Sequence, residues 1–374
     1  MALPHRSSAA PLSLGLALLI AYASLYPFGP WIWPAGATLA ELMVLRWPSY
    51  HAAFDIWANF LGYIPMGLLP AVAALRAGVR SRRAVVGAAV AAAALSYLME
   101  VLQQCLAGRH PSLLDWVLNA SGGLTGALGA ALTERQGWLG RWSTWRERWL
   151  LRDAGTGLAL LVTWPLGLLF PTPFPFGLGL GWERVQDWLV GWLLDVPWAQ
   201  EALELVSDIP VPMERPAAVV AGAGVLIGLL VPCLLVCAIT RAGLRRLVLC
   251  AAVVAVGLGA TTLSAAMNFG PGHAMGWRGP ETWPAVVVAS VLCLGLSRIG
   301  ARLAAVLGLS LTMALLMLVA QVPADPYFAV SLQSWEQGRF IHFHGLSQWV
   351  GWLWPYLLLA WLCARLSSRE GSVR

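Results

Sequence analysis

The chain has 374 residues, of which 59% are hydrophobic and 11% are charged, and its mean hydropathy is +0.69. About 25% of the residues of a soluble globular domain are charged, so this composition excludes a soluble protein and is typical of a polytopic membrane protein. The net charge of +6 comes from arginines in short segments between apolar stretches, and we predict no nucleic-acid partner. The six cysteines lie in or beside apolar segments, so we interpret them as buried hydrophobic residues rather than as disulfides or metal ligands.

Ten apolar segments predict membrane-spanning helices, and the chain is therefore expected to be all-α. Their approximate bounds are 10–28, 56–75, 84–106, 112–132, 154–171, 217–239, 245–267, 284–297, 301–322 and 347–366. The fifth segment is interrupted by Pro165, and the eighth is short enough to be a half-span.

The arginines are unevenly distributed between alternate loops, which predicts the orientation of the chain. If the ten spans alternate, 18 of the 24 arginines lie on one side, which we assign to the cytoplasm. Both termini are then cytoplasmic, and the connection that contains Arg109 faces the periplasm. Residues 21–23 could form a signal-peptidase site, but Arg6 is the one charge before the apolar run, so we expect an uncleaved first span.

Tryptophans are concentrated on the predicted outer side. Residues 182–194 place apolar side chains at helical spacing, namely Trp182, Val185, Trp188, Leu189 and Trp192, which predicts a periplasmic helix that lies on the membrane surface. Tryptophans in the other outer loops are typical of a membrane-interface belt, and stacking on a sugar or lipid headgroup is the alternative. We predict a four-span module at residues 1–150, span five with a Trp/Pro-rich interfacial region at 151–216, and a module of about five spans at 217–374.

A polar pattern recurs in the second and fourth spans. Asp55-x3-Asn59-x2-Gly62 opens one span and Asp115-x3-Asn119-x2-Gly122 opens the other, sixty residues later. Offsets of 0, 4 and 7 lie on one helical face, so each helix carries an acid, an amide about 6 Å deeper, and a glycine that permits close packing. Gly126 and Ala130 extend the small-residue ridge after Gly122.

More polar residues lie where the third and fourth spans meet. Glu100, Gln103 and Gln104 end the third span, and Arg109 and Ser112 lie in the connection. Ionisable groups within membrane spans are costly, so such a cluster predicts a site. The Arg109 guanidinium offers a fork of donors suited to phosphate, and Ser112 is the expected N-cap of the fourth span. The alternative is structural: Arg109 pairs with Glu100 or Asp115, and the amides join the helices.

The same residues carry a family resemblance. GYIPMG at 62–67, YASLYPF at 22–28 and the pattern E-x2-Q-x5-R-x5-D-x3-N-x2-G from Glu100 to Gly122 resemble the VanZ-like family over about residues 10–132. That family consists of small bacterial membrane proteins and is named for one that confers low-level resistance to the glycopeptide teicoplanin. The resemblance implies a role in the cell envelope and no defined chemistry.

The second half contributes secondary candidates on the predicted outer side, namely His273, Arg278, Arg339, His342 and His344. The three histidines could contribute to a metal site, but their spacing specifies no further ligand, so we predict neither a metal nor another cofactor.

The sequence thus predicts an envelope protein that recognises, and could translocate, an anionic lipid or lipid-linked glycan intermediate at the outer leaflet. The expected ligand residues are Asp55, Asn59, Glu100, Gln103, Arg109, Asp115 and Asn119. Two alternatives remain open: a periplasm-facing transferase or hydrolase with Glu100 or Asp115 as base, and a scaffold that binds proteins of polysaccharide assembly.

Overall fold

A computed structural model describes the backbone of residues 9–26, 28–49, 53–151, 153–194, 196–210, 217–322 and 341–368. Within these ranges the chain is helical and contains no β-strand, in agreement with the predicted fold class. The chain forms two compact units, residues 1–147 and 148–374, and each is described by itself below.

The amino-terminal unit is built on four long helices. They are α1 (Ala9–Leu25), α3 (Ala53–Arg76), α4 (Ser81–Gln103) and α5 (Leu113–Arg135). A single turn, α2 (Leu39–Leu42), lies in the loop between α1 and α3. The next helix along the chain, α6 (Trp138–Trp149), occupies the arginine-rich segment that the sequence analysis treated as a loop.

Glycines bring α3 and α5 into backbone contact. A Cβ atom added to Gly122 would lie 2.1 Å from the carbonyl oxygen of Phe60, and one added to Gly126 would lie 1.9 Å from that of Ile64. The predicted ridge of small residues on α5 is therefore confirmed. Helices that cross a membrane commonly associate through such small residues because their backbones can approach closely.

The matching prediction for Gly62 is wrong, because a Cβ added there would meet nothing within 4 Å. The residues of α3 that contact α5 are instead Phe60, Ile64 and Gly67. A Cβ atom added to Gly67 would clash with the carbonyl group of Gly123. At about 100° per residue, Gly62 lies about 200° around the helix from Phe60 and so faces away from α5.

The carboxy-terminal unit surrounds one apolar helix, α10 (Ala218–Ile239), which is buried at nearly every position after Ile227. A helix that is apolar on all sides is expected in such a central position. The other helices of this unit are α7 (Gly155–Leu168), α8 (Trp182–Leu193), α9 (Gln200–Ser207), α11 (Leu244–Phe269), α12 (Thr282–Leu296), α13 (Ala301–Ala320) and α14 (Ile341–Ser367). Helices α7, α11, α12 and α13 pack on α10.

Each of the ten predicted spans overlaps one of these helices, and six of the helices are long and apolar enough to cross a membrane: α3, α4, α10, α11, α13 and α14. This architecture is that of a multi-pass membrane protein. Helices α1, α7 and α12 are apolar but shorter. Helix α5 is long but less apolar because it contains four glycines and Asn119. The count of ten spans and the orientation of the termini remain predictions.

The proline-rich segment before α8 is more buried than expected for part of the predicted interfacial region. Helix α8 begins at Trp182, as predicted for the interfacial helix, and exposes Trp188 and Trp192. Phe170, Phe174 and Phe176 just before it are buried within the carboxy-terminal unit. Part of the region that was predicted to lie at the membrane interface is therefore in the hydrophobic core of this unit.

Candidate functional site

The seven predicted ligand residues meet at one end of the amino-terminal unit. This end contains the start of α3 and α5, the end of α1 and α4, and the connection 104–112. Hydrogen bonds or electrostatic interactions link all seven to neighbouring elements of this end, and Gln104 and Ser112 join them. The residues are Asp55, Asn59, Glu100, Gln103, Arg109, Asp115 and Asn119.

The two copies of the repeated pattern are bonded directly. The Asn59 amide on α3 donates to Asp115 Oδ1 on α5 over 2.7 Å. Asp55 is close enough to Asp115 for their carboxyl groups to interact electrostatically. The backbone N–H of Asp115 donates to Ser112 Oγ at 3.0 Å, so Ser112 is the N-cap of α5, as predicted.

Glu100 holds the start of α5 against the end of α4. Its side chain is 6% exposed, and Oε2 accepts a hydrogen bond from the Ser112 N–H at 2.9 Å. A carboxyl group at this point accepts one of the N–H groups that the first turn of a helix leaves unpaired. Glu100 therefore has a structural contact whether or not it also meets a ligand.

Arg109 contacts the end of α1. Its guanidinium donates to the carbonyl oxygens of Tyr26 at 2.5 Å and Ala23 at 3.2 Å. The carbonyls at a helix end lack backbone partners and carry partial negative charge, which favours a cation there. Burial lowers the pKa of Arg109, and the negative charge of the nearby Glu100 opposes this shift. The guanidinium nevertheless remains charged, because arginine is not deprotonated in proteins. One nitrogen of the predicted fork for phosphate, Nη2, thus makes both of these contacts with the end of α1.

The amide side chains also bind protein groups. Gln103 donates to the Ser24 carbonyl at 2.7 Å, and Gln104 donates to that of Leu42 at 2.6 Å. Asn119 donates to Ser96 Oγ at 2.9 Å, while its buried Oδ1 has no partner among the described residues. The cluster therefore joins α1, α2, α3, α4 and α5 at one end.

An open groove of about 400 Å³ lies beside this cluster; Gln104 lines it, and the seven predicted ligand residues do not. Its walls come from the loop between α1 and α3, the end of α4 and the connection before α5. The lining residues are Pro34, Ala35, Gly36, Ala37, Glu41, Leu42, Val44, Arg46, Gln104 and Pro111. Its volume is within the range of small-molecule sites, about 300–1,000 Å³.

The groove wall is tied to the helices behind it. The carbonyl oxygens of Leu42, Met43 and Arg46 accept hydrogen bonds from the side chains of Gln104 and Tyr97 and from the Leu113 N–H. These contacts hold the backbone of the loop while the Arg46 and Glu41 side chains remain exposed.

Glu41 is held as a carboxylate on this wall. Its Oε2 accepts from the Thr38 N–H at 2.7 Å and from the Thr38 hydroxyl at 2.9 Å, which completes a capping box for α2. These hydrogen bonds, with the charge of Arg46, lower the pKa of Glu41. Arg46 and Glu41 therefore place a cation and an anion on the same groove.

The loop around the groove exposes large apolar side chains. Trp31, Trp33, Trp47, Met43 and Val44 are each at least half exposed. Tryptophan is enriched at the level of lipid headgroups because its ring is apolar and its N–H is polar. Sequence reasoning missed Arg46 and Glu41 as candidates, although Thr38-x2-Glu41 is a capping-box pattern and Arg46 stands alone among apolar and aromatic residues.

The secondary candidates belong to the carboxy-terminal unit. His273 Nδ1 lies 3.0 Å from the Phe269 carbonyl oxygen, and Arg278 Nε donates to that of Met275 at 3.4 Å. Arg339 and the side chains of His342 and His344 lie outside the described residues. Among the residues that the structure describes, no three His, Cys, Asp or Glu side chains are grouped to hold a metal ion.

Comparison with known proteins finds a similarity for most of the amino-terminal unit. Residues 14–134 match the family model VanZ/LLP1. No curated protein and no solved structure matches the chain. The matched region is about a third of the chain and includes α3, α4 and all but the last residue of α5, with the whole polar cluster. The resemblance predicted from the polar pattern is confirmed: residues 14–134 of this chain are similar to the VanZ/LLP1 family.

Proposed function

We propose that the amino-terminal unit recognises the phosphate-bearing headgroup of an anionic lipid or a lipid-linked glycan intermediate at the outer leaflet of a bacterial inner membrane. The observation that supports this proposal is the open groove of about 400 Å³, with Arg46 and Glu41 in its wall and exposed tryptophans beside it.

Arg46 is the cation best suited to the phosphate. Its side chain is exposed on the groove, whereas Arg109 donates to the carbonyl oxygens at the end of α1. A guanidinium can bind a phosphate through two parallel hydrogen bonds. Arg109 then supports the site by holding α1 beside the connection 104–112.

The negative charge of Glu41 limits the kinds of headgroup that the groove can bind. Its carboxylate would repel a bare anion, but it can accept hydrogen bonds from sugar hydroxyls or from an amine. A ligand that carries a phosphate for Arg46 and donors for Glu41 satisfies both side chains. This combination favours a glycosylated or amine-bearing phospholipid over a simple anion.

The exposed tryptophans supply the apolar part of the interaction. In a membrane, Trp31, Trp33 and Trp47 would anchor the loop at headgroup level, where a lipid can enter the groove from the side.

Packing deeper in the unit supports recognition without translocation. Ala71, Ala84, Ala88, Ala127 and Ala130 form a buried cluster between α3, α4 and α5. With the glycine-to-backbone contacts of α3 and α5, these small apolar residues fill the space through which a polar headgroup would have to pass.

The test is lipid binding by native mass spectrometry, with phosphatidylglycerol, a polyisoprenyl phosphate and zwitterionic phosphatidylcholine as probes. Arg46→Ala should weaken binding of the two anionic lipids roughly tenfold or more, the scale of a lost charged hydrogen bond. Arg135→Ala is the matched control, since Arg135 is exposed at the other end of α5. Equal loss in both variants, or no loss in Arg46→Ala, contradicts the proposal.

A further inference from the structure

The end of the amino-terminal unit opposite the polar cluster is strongly basic. It contains the end of α3, the start of α4, the end of α5 and residues 138–147 of α6. Residues 76–83 and 134–147 contain seven arginines and two glutamates, namely Arg76, Arg80, Arg82, Arg83, Arg135, Arg141 and Arg146 with Glu134 and Glu147. This end is separate from the headgroup groove, and the inference drawn from it does not depend on that groove.

Two of these arginines lie close together. Arg76 is the last residue of α3, and Arg146 lies near the end of α6. The two positive charges are close enough to repel each other. Such a pair of like charges is unfavourable at short range, and an anion that lies against both of them removes the penalty.

No acidic residue offsets this repulsion within the part of the chain that the structure describes. There, neither Arg76 nor Arg146 donates a hydrogen bond or forms an ion pair, and their mutual repulsion is the interaction that they make. An anion from outside the chain would therefore be the first partner of either guanidinium.

The other buried arginine of the described residues, Arg246, shows what a satisfied guanidinium looks like in this protein. It donates to three backbone carbonyl oxygens at 2.7–3.0 Å, those of Thr240, Ser297 and Ile299. Buried polar groups are nearly always paired in this way. Arg146 departs from that rule, although its side chain is only 8% exposed.

The guanidinium of Arg146 can be reached from outside. Its nitrogens are absent from the set of fully buried, unpaired side-chain atoms of the described residues, so each of them keeps accessible surface. The long apolar stem of an arginine can be buried while its charged head remains at the surface. An anion can therefore contact Arg146 without any rearrangement of the fold.

Tryptophans occupy one face of the same helix. Trp138, Trp142 and Trp145 are spaced by four and three residues, which places them on one side of α6. Trp138 and Trp142 are exposed, and the rings of Trp142 and Trp145 stack with their centroids 4.9 Å apart. A helix with tryptophans on one face and arginines beside them is typical of the membrane interface, where lipid phosphates lie.

We propose that Arg76 and Arg146 bind one phosphate group between them. Its negative charge offsets their repulsion, and its oxygens accept hydrogen bonds from both guanidinium groups. The tryptophans of α6 favour an anionic phospholipid as the source of this phosphate. The predicted orientation places the site at the cytoplasmic leaflet, whose anionic lipids attract basic segments beside membrane spans.

The experiment is thermal unfolding of the delipidated full chain in a neutral detergent at constant ionic strength. The ligands, added one at a time, are phosphatidylglycerol, phosphatidylcholine and inorganic phosphate. A ligand that binds the folded chain raises the thermal midpoint, and we expect this rise with phosphatidylglycerol. In Arg76→Met and Arg146→Met, which keep an unbranched stem without the charge, the lipid concentration for half of the rise should increase roughly tenfold or more.

Without ligand, the same two variants test the repulsion itself. Removal of either charge should leave the thermal midpoint equal to that of the wild type or raise it, because the like-charged pair is lost. A lower midpoint in both variants would show that the arginines stabilise the fold through contacts within the chain, and it would overturn the inference. If one variant does not fold, the other still decides.

Arg141→Met is the matched control, since Arg141 is exposed on the same helix and does not act on Arg76. It should respond to phosphatidylglycerol like the wild type. Repeating the series in an Arg46→Ala background removes the contribution that we propose for the groove, so the two sites are tested separately. An equal response to inorganic phosphate, reduced in the same variants, supports the site with a soluble phosphate as its source. No response of the wild type to either ligand, or an unchanged response in Arg76→Met and Arg146→Met, overturns the inference.

Discussion

Asn59 and Asp115, fifty-six positions apart, are joined by a 2.7 Å hydrogen bond from the amide of one to the carboxyl group of the other. The bond links α3 to α5, the two helices that open with the same polar pattern. Through this bond, the two copies of the internal repeat contact each other.

A double-mutant cycle should detect this bond. Asn59→Ala and Asp115→Ala are each expected to lower the free energy of unfolding, and the double variant should lose less than the sum. We expect a coupling energy of about 1–2 kcal/mol, as for other hydrogen bonds to carboxyl groups. The measurement is reversible unfolding by SDS in mixed micelles, and strict additivity would show that the pair does not interact.

Backbone contact at Gly126 should make that position intolerant of a side chain. Because the added Cβ of Gly126→Ala would lie 1.9 Å from the Ile64 carbonyl, α3 and α5 must move apart, at a cost of about 1–3 kcal/mol. Gly62→Ala is the control, since that Cβ meets nothing within 4 Å and alanine favours the helix. The thermal midpoint should fall in Gly126→Ala and rise in Gly62→Ala. Equal destabilisation of the two variants would refute the glycine contact.

Arg109 should affect stability, whereas Arg46 should not. Arg109→Ala leaves the carbonyl oxygens of Ala23 and Tyr26 without their donor, so we expect a loss of about 1–3 kcal/mol. Arg109→Lys should recover part of that loss, because the charge near the end of α1 is kept. The thermal midpoint of Arg46→Ala should remain that of the wild type. If Arg109→Ala is as stable as the wild type but has lost anionic-lipid binding, Arg109 rather than Arg46 contacts the phosphate.

The loop beside the groove should loosen in acid. The pKa of Glu41 is lowered by its hydrogen bonds from Thr38, so the ionised form stabilises the folded loop. That contribution is complete above the unfolded pKa of about 4.3 and is lost as the pH falls through the lower folded value. Amide hydrogen exchange at Glu41 and Leu42, corrected for intrinsic rates, should accelerate at low pH. Glu41→Gln should remove the pH dependence, and an unchanged profile in that variant would exclude Glu41 as its origin.

Cysteine accessibility tests the predicted orientation. Single cysteines at Gly108 and Pro271 should react with a membrane-impermeant maleimide from the periplasm, and one at Ser81 should react only from the cytoplasm. A labelling pattern in which Ser81 and Gly108 share a side would rule out the ten-span arrangement.

The sequence by itself determined the features that depend on local chemistry. Helical spacing and composition predicted all-α membrane architecture and the start of α8 at Trp182, and Ser112 was recognisable as an N-cap from its place before an apolar run. The polar residues from Glu100 to Asn119 predicted both the cluster and the resemblance to the VanZ/LLP1 family. These features follow from residues a few positions apart, so the local pattern contains the necessary information.

Tertiary structure decided how those residues are used. Arg109 meets the carbonyl oxygens at the end of α1 because the fold brings residues more than eighty positions apart together. The rotation of α3 against α5 places Gly67 rather than Gly62 at the contact, and a loop anchored on α4 and α5 presents Arg46 at a groove. The rotation of a helix, and the acceptors that lie within reach of a donor, depend on contacts between residues far apart in sequence. A local pattern therefore does not determine them.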